Sequence, residues 1–330
     1  DTLMKKLLIK GINKKYKVII KNNLLNNLTV YYNTNKQALL LSDDNIPLSY
    51  KESIKAQYNV TCSVILKHGE KSKNYKNTLK VINTLLINNF NKDDVIIALG
   101  GGVILDIASL IAALYKRGIN LVFIPTSMLS MVDASIGSKN AIDFNNIKNV
   151  IGTFYDPSIV LIDPTLLKTL KKREIYSGLC EVLKVALIHN VNFYNYIKKN
   201  TLSLNYEKVI YESLKIKKYF VENDKYDTSI RHALNFGHTY GHAIEIVYNL
   251  PHGIAIGIGM LKVLENPLRN EVACILKKWR INYKKYLNDN SYNYYILQDK
   301  KIKNNRIDLV VVKTPGSFEI KSIEVGDSNG

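Results

Sequence analysis

Val95-Ile96-Ile97-Ala98-Leu99-Gly100-Gly101-Gly102-Val103-Ile104-Leu105-Asp106 reads as a buried strand that runs through three glycines into a helix. Glycine lets the chain turn sharply and lets a ligand approach backbone that a Cβ would shield. The helix start that follows offers unpaired N–H groups and the positive end of a dipole, a setting that suits a pyrophosphate. The three glycines are not the G-x-G-x-x-G fingerprint, so a tight turn with nothing bound accounts for the spacing equally well. Asp106, one turn into the helix, either orients a ligand or favours the helix start.

On either side of this stretch, short β-branched runs at 18–20, 38–41, 62–66, 94–99, 121–124 and 159–162 read as strands. They are apolar without in-and-out alternation, as in a sheet covered on both faces. Residues 77–88 and 103–116 place apolar side chains at helical spacing between them. Strand–helix alternation predicts a Rossmann-like parallel sheet. After Pro164 the texture changes: 166–190, 206–222, 238–248 and 253–264 favour helix, and the next strand signal is 307–312. The expected architecture is an α/β N-terminal domain over 1–165 and a mostly α-helical C-terminal domain over 166–330.

The chain of 330 residues carries 46 Lys+Arg against 28 Asp+Glu, a formal net charge of +18. With 46% hydrophobic residues there is enough apolar material for two cores, which argues against disorder. The charge admits three partners: nucleic acid, an anionic membrane surface or a small acidic substrate. Most of it is also what a bias toward Lys, Asn, Tyr and Ile codons would scatter over a surface. No block of five or six consecutive basic residues occurs, and aromatics do not alternate with Arg as on a stacking platform.

Cys62, Cys180 and Cys274 are odd in number and far apart, so neither a disulfide framework nor a thiolate zinc site is encoded. A reducing, cytoplasmic compartment is expected. The apolar run 103–115 is broken by Asp106 and falls short of the ~18–20 residues that span a bilayer. The start has no cleavable signal pattern and opens on Asp1, as a segment of a longer polypeptide would.

Two further polar turns close predicted strands, Ser42-Asp43-Asp44-Asn45 and His68-Gly69-Glu70-Lys71-Ser72-Lys73. Together with the glycine turn they stand at the carboxyl ends of successive strands, where open α/β sheets bind ligands. In the second half, His238, His242 and His252 are three of the chain's six histidines, within fifteen residues. His238 and His242 are four apart and share one helix face, so spacing alone selects them as a metal-ligand pair. His252 lies in a loop able to fold back, and Glu181 offers a carboxylate in the same domain.

Gly100-Gly-Gly-Val-x-x-Asp106, Arg117-Gly118, Pro125-Thr126-Ser127, Val132-Asp133-Ala-Ser-Ile-Gly-Ser-Lys139, Lys148-Asn149, Gly178-x-x-Glu181-Val-x-Lys184, Arg231-x-x-x-Asn235-Phe-Gly-His238-Thr-x-Gly-His242-Ala-Ile-Glu245 and His252-Gly253 occur in register. In this the chain resembles the 3-dehydroquinate synthase family of sugar-phosphate cyclases, closely over 40–262 and loosely elsewhere. The resemblance implies an enzyme of the shikimate pathway that uses NAD and a divalent metal, zinc or cobalt. Its substrate would be 3-deoxy-D-arabino-heptulosonate 7-phosphate (DAHP), converted to 3-dehydroquinate and phosphate by oxidation, elimination, reduction and aldol closure. It implies an NAD-binding first domain and a second domain that binds metal and substrate.

Residue by residue, the resemblance makes Glu181, His238 and His252 the metal ligands and moves His242 to the substrate's phosphate side. For NAD it implies Asp43, Asn45, Glu70, Lys73, Gly101, Gly102, Asp106, Thr126, Ser127, Asp133, Lys148, Thr169, Leu170 and Glu174. For substrate it implies Lys139, Asn149, Lys184, Lys217, Arg231, Asn235 and His242, with Lys300 or Lys301. Arg117 would reach the neighbouring subunit's phosphate pocket, which implies a homodimer. An anionic sugar phosphate is the implied partner, with neither nucleic acid nor membrane. The chain departs from the family at Ile254, where Glu is usual, at Asp143, where Asn is usual, and in a shortened 260–299. The competing readings are a sister cyclase acting on sedoheptulose 7-phosphate, a metal-dependent NAD polyol dehydrogenase and, from a different class, a basic nucleic-acid-binding protein; the resemblance also extends to the dehydroquinate synthase domain of a multifunctional arom polypeptide.

Overall fold

The computed structural model describes residues 4–145, 147–289, 291 and 306–324. The chain divides into two compact units, Asp1–Leu170 and Lys171–Gly330. The 3-10 helix Pro164–Thr169 falls within the first of them.

In the first unit the strands are β1 (Lys5–Lys10), β2 (Lys15–Ile20), β3 (Ala38–Asp43), β4 (Val60–Leu66), β5 (Val95–Gly100), β6 (Asn120–Pro125), β7 (Lys139–Phe144), β8 (Ile147–Phe154) and β9 (Ile159–Ile162). Helices α1 (Leu48–Gln57), α2 (Tyr75–Ile87) and α3 (Gly102–Leu114) connect them. Seven strands form one sheet in the order β1-β2-β9-β6-β5-β3-β4. Only the β1–β2 pair in it is antiparallel. Every residue of β5 and β9 is buried, as expected for strands covered on both faces.

The chain runs from β3 outward to β4, then returns across β3 to β5 and continues to β6 in the opposite direction. The connection therefore reverses between β3 and β5, and a crevice opens at the carboxyl ends of those two strands. Asp43 ends one of them and Gly100 the other. A Cβ on Gly100 would sit 2.7 Å from the Ile104 side chain, so this glycine seats α3 against the strand. Gly101 and Gly102 differ: a Cβ there meets nothing closer than Ser127 Oγ at 3.5 Å and Ala134 Cβ at 3.7 Å. Their bareness leaves backbone open at the start of α3.

The second unit comprises α4 (Lys172–His189), α5 (Val191–Lys199), α6 (Tyr206–Asn223), α7 (His238–Tyr248), α8 (His252–Val263), α9 (Leu268–Lys278), α10 (Lys284–Leu287) and a ribbon of β10 (Arg306–Val311) with β11 (Glu319–Glu324). The helix expected over 166–190 is two pieces, because Leu170 and Lys171 are extended and separate the 3-10 turn from α4. Three helices approach unusually closely. A Cβ on Gly253 would lie 1.8 Å from the Ser177 carbonyl oxygen, and one on Gly259 would lie 2.1 Å from the Gly237 oxygen. Glycine at these points lets α8 pack backbone to backbone on α4 and α7.

Candidate active site

In the first unit the turn that ends at Lys73 meets Asp106 of α3 and Asn149 of β8. Its ammonium lies 2.7 Å from Asp106 Oδ2 and 3.9 Å from Glu70 Oε1, and it donates to Asn149 Oδ1 at 2.6 Å. Burial works to lower the Lys73 pKa, but the Asp106 charge beside it prevails and the pKa is raised. Burial pushes the Asp106 carboxyl up to about 6 against the pull of Lys73. Asn149 is held in turn: its N–H donates to Asp143 Oδ1 at 2.8 Å, with φ of 52°. A cavity of about 480 Å³ lies beside this network, lined by Asp106, Lys139 and Asn149 with hairpin residues of β7 and β8.

The Asn45 N–H donates to Asp43 Oδ1 at 2.9 Å, and burial raises the Asp43 carboxyl. Asp44 is turned elsewhere, accepting from the His68 backbone and held low by His68 and Lys67. Thr126 donates its N–H to Gly100 O at 3.0 Å, which sets Ser127 next to the glycine turn. Asp133 stands in the π-helical turn Ser130–Ala134. Lys148 is an exposed residue of β8. Thr169 closes the 3-10 turn by bonding Leu166 O, and Leu170 follows it. Arg117 is exposed, at φ of 60° just past α3.

The second unit brings together the carboxylate and imidazoles that the sequence put on separate segments. Glu181 on α4 is 3% exposed and Lys184 one turn on is 2% exposed. The Lys184 ammonium pairs with Glu181 Oε2. The other oxygen, Oε1, is buried and accepts no hydrogen bond. It lies 3.6 Å from His252 Nε2 and 3.9 Å from His238 Nε2. His238, His242 and His252 each present a ring nitrogen within 4.8 Å of the others.

His252 Nδ1 lies 2.8 Å from Glu245 Oε2, and His238 Nδ1 lies 3.2 Å from the Phe236 carbonyl oxygen. Such contacts fix the tautomer and turn Nε2 inward, the arrangement by which an outer oxygen orients a metal-binding imidazole. Burial lowers the His252 pKa, but the Glu245 bond and the Glu181 charge outweigh it, so the net shift is upward. Glu245 stood in the quoted motif without a role; only the fold places it against His252. Lys217 on α6 and Arg231 are buried. Arg231 donates from Nη1 to Lys225 O at 3.1 Å. Asn235 ends the 3-10 turn Ile230–Asn235 just before α7, and Glu174 is an exposed residue in the first turn of α4. Lys300 and Lys301 lie outside the described residues.

The first unit thus carries a switch-point crevice on a parallel sheet, and the helical second unit carries a buried carboxylate among imidazoles. The fold matches 2-deoxy-scyllo-inosose synthase complexed with carbaglucose-6-phosphate, NAD+ and Co2+, with a TM-score of 0.85, 21% identity and 97% of both chains covered. It also matches 2-epi-5-epi-valiolone synthase from Streptomyces hygroscopicus with NAD+ and Zn2+ bound, with a TM-score of 0.84, 22% identity and 95% and 94% covered. Residues 63–177 match the 3-dehydroquinate synthase N-terminal family and 178–302 the C-terminal one. The 3-dehydroquinate synthase of Clostridium botulinum is 35% identical over 98% of this chain and 99% of its own length. The chain belongs to the 3-dehydroquinate synthase family and is an enzyme of that family.

Proposed function

We propose that this enzyme converts DAHP to 3-dehydroquinate and phosphate, with NAD and a divalent cation, zinc or cobalt, as its cofactors. The observation that carries the reading is Glu181 Oε1, a buried carboxylate oxygen without a hydrogen bond, 3.6 Å and 3.9 Å from two inward-turned Nε2 atoms. Lys184 balances the carboxylate through its other oxygen, but an unbonded oxygen buried in that position is costly unless a cation or donor completes it. Two imidazoles and one carboxylate suit zinc or cobalt and leave positions open for substrate hydroxyls. We assign the ligands as Glu181, His238 and His252, with Lys184 holding the second oxygen of Glu181. The uncovered backbone of Gly101 and Gly102 at the start of α3 fits a pyrophosphate, and Asp43 fits a ribose diol.

When bound, NAD and the cation supply reversible hydride exchange and Lewis acidity at a substrate hydroxyl. The chain's own residues position and neutralise charge. For NAD we assign Asp43, Asn45, Glu70, Lys73, Gly101, Gly102, Asp106, Thr126, Ser127, Asp133, Lys148, Thr169, Leu170 and Glu174. Recognition of the substrate is assigned to Lys139, Asn149, Lys184, Lys217, Arg231, Asn235 and His242. Arg231 suits a planar carboxylate, and lysines suit phosphate as mobile point charges. Oxidation of the neighbouring alcohol acidifies the proton to be lost, and the substrate's own phosphate can accept it. The protein then contributes chiefly orientation and electrostatics.

The first unit serves as the NAD-binding domain and the second as the metal- and substrate-binding domain. We infer a homodimer, with Arg117 reaching the neighbouring subunit; exposed Ile147, Val150, Ile151 and Phe154 on β8 support an apolar contact there. The free thiols Cys62, Cys180 and Cys274 support a cytoplasmic enzyme. Among the described residues no helix is long and apolar enough to cross a membrane. The substrate class is tested by offering DAHP and sedoheptulose 7-phosphate separately to the zinc-loaded enzyme with NAD. Phosphate release from DAHP alone is expected; preference for sedoheptulose 7-phosphate would contradict the assignment of Arg231 to a carboxylate.

A further inference from the structure

A second cavity, of about 340 Å³, lies wholly within the helical unit and takes no part in the chemistry above. Lys172, Arg173 and Arg280 line it, the half-buried Tyr176 forms an aromatic wall backed by the buried Trp279, and Ile254 closes the apolar side. No acidic side chain is among the residues lining it. The Tyr176 and Trp279 rings stack at 6.2 Å with an interplanar angle of 15°. The indole is fixed from behind, donating from Nε1 to Thr201 O at 3.0 Å. Trp279 and Ile254 are buried whereas the three cations are exposed. Arg280 holds φ of 58°, a left-handed conformation at the end of α9 that favours glycine.

We propose that this cavity binds a small aromatic carboxylate. The charge of the rim calls for an anion, and the aromatic wall calls for a planar ring beside it. The guanidinium groups of Arg173 and Arg280 match a carboxylate's two oxygens better than they match a diffuse apolar guest. A cavity of about 150 Å³ already holds one benzene ring, so this one takes a ring with its carboxylate. Most of the lining comes from the first turn of α4, the end of α9 and the segment after it, so a guest would join three segments of the unit.

Trp279 is the chain's single tryptophan, so its emission reports the cavity directly. Titrating the purified 330-residue chain with benzoate is expected to change that emission saturably. Benzamide, which keeps the ring without the charge, and inorganic phosphate, which keeps charge without the ring, should each bind about ten-fold more weakly or worse. Arg280→Gly suits the backbone at that position and should leave the unfolding midpoint intact while weakening benzoate about ten-fold. Lys172→Ala, on the opposite rim, should weaken it as well. The proposal is overturned by an unsaturable response, by benzamide or phosphate matching benzoate, or by both variants binding benzoate as the parent protein does.

Discussion

At the scale of single residues, the proposed chemistry rests on Glu181 and the rings around it. Glu181 is paired through one oxygen with Lys184 and leaves the other turned toward His238 and His252. Replacing His252 by Ala should abolish zinc retention after gel filtration, whereas His242→Ala should retain the metal and lose turnover. Loss of metal only from the His242 variant would return the ligand role to the helical pair. Asp143, where the resemblance leads one to expect Asn, accepts the Asn149 N–H at 2.8 Å, and Asn149 in turn receives Lys73 at 2.6 Å. Asp143→Ala should weaken NAD binding about ten-fold by calorimetry. Asp143→Asn keeps an acceptor oxygen and should bind nearly as the parent does. Equal loss in both would mean that the charge, not the hydrogen bond, holds the network.

At the scale of elements, the imidazole cluster depends on how α8 meets α4. The Gly253 N–H donates to Ser177 Oγ at 3.1 Å, and its Cα faces the Ser177 carbonyl with no room for a methyl group. Gly253→Ala should destabilise the protein by about 1–3 kcal/mol, as overpacking does. It should also lower zinc affinity by moving His252, its chain neighbour; intact zinc binding in that variant would refute the dependence. A second element-level device is the loop after α6. Burial works to raise the Asp224 carboxyl, but the N–H groups of Thr228, Ser229 and Arg231 hold it well below the usual carboxylate range. A folded-state pKa below the unfolded value of about 3.9 contributes stability above that pH and loses it as pH falls. Asp224→Ala should therefore cost about 2–3 kcal/mol at neutral pH, and the gap between variant and parent should narrow below about pH 4 in urea unfolding. A gap that widens in acid would contradict the assignment.

Across the whole molecule, what was legible in the sequence is what local pattern controls. The central strands announce themselves because a strand covered on both faces has no polar alternation, and the glycine turn marks where β5 passes into α3. The hairpin of β7 and β8 was not foreseen: β8 is exposed almost throughout, so burial imposes no pattern on it. Strand β1 pairs at the sheet's edge and α1 has few buried residues, which left both without a signal. Residues 103–116 read as continuous helix, but Lys116 and Arg117 take positive φ and α3 ends at Leu114. At the site, helical spacing selects His238 with His242, and His252 is legible only as a histidine able to fold back from a loop. The fold brings all three imidazoles within 4.8 Å of one another, and the close approach at Gly253 seats the start of α8 against α4; which two of them join Glu181 is what the resemblance implies. The +18 charge is at first compatible with three kinds of partner; among the described residues the buried cations are Lys51, Lys73, Lys184, Lys217 and Arg231, and the last four of these are ones assigned to cofactor or substrate.

We propose that oxidation, elimination, reduction and ring closure proceed on this one chain with no net change in its NAD. A single incubation of the zinc-loaded enzyme with DAHP and NAD, following phosphate, 3-dehydroquinate and absorbance of reduced cofactor together, tests this. Phosphate and 3-dehydroquinate are expected in equal amounts, with no accumulation of NADH. Accumulating NADH, as from a polyol dehydrogenase, or phosphate released without the carbocycle, would overturn the proposal.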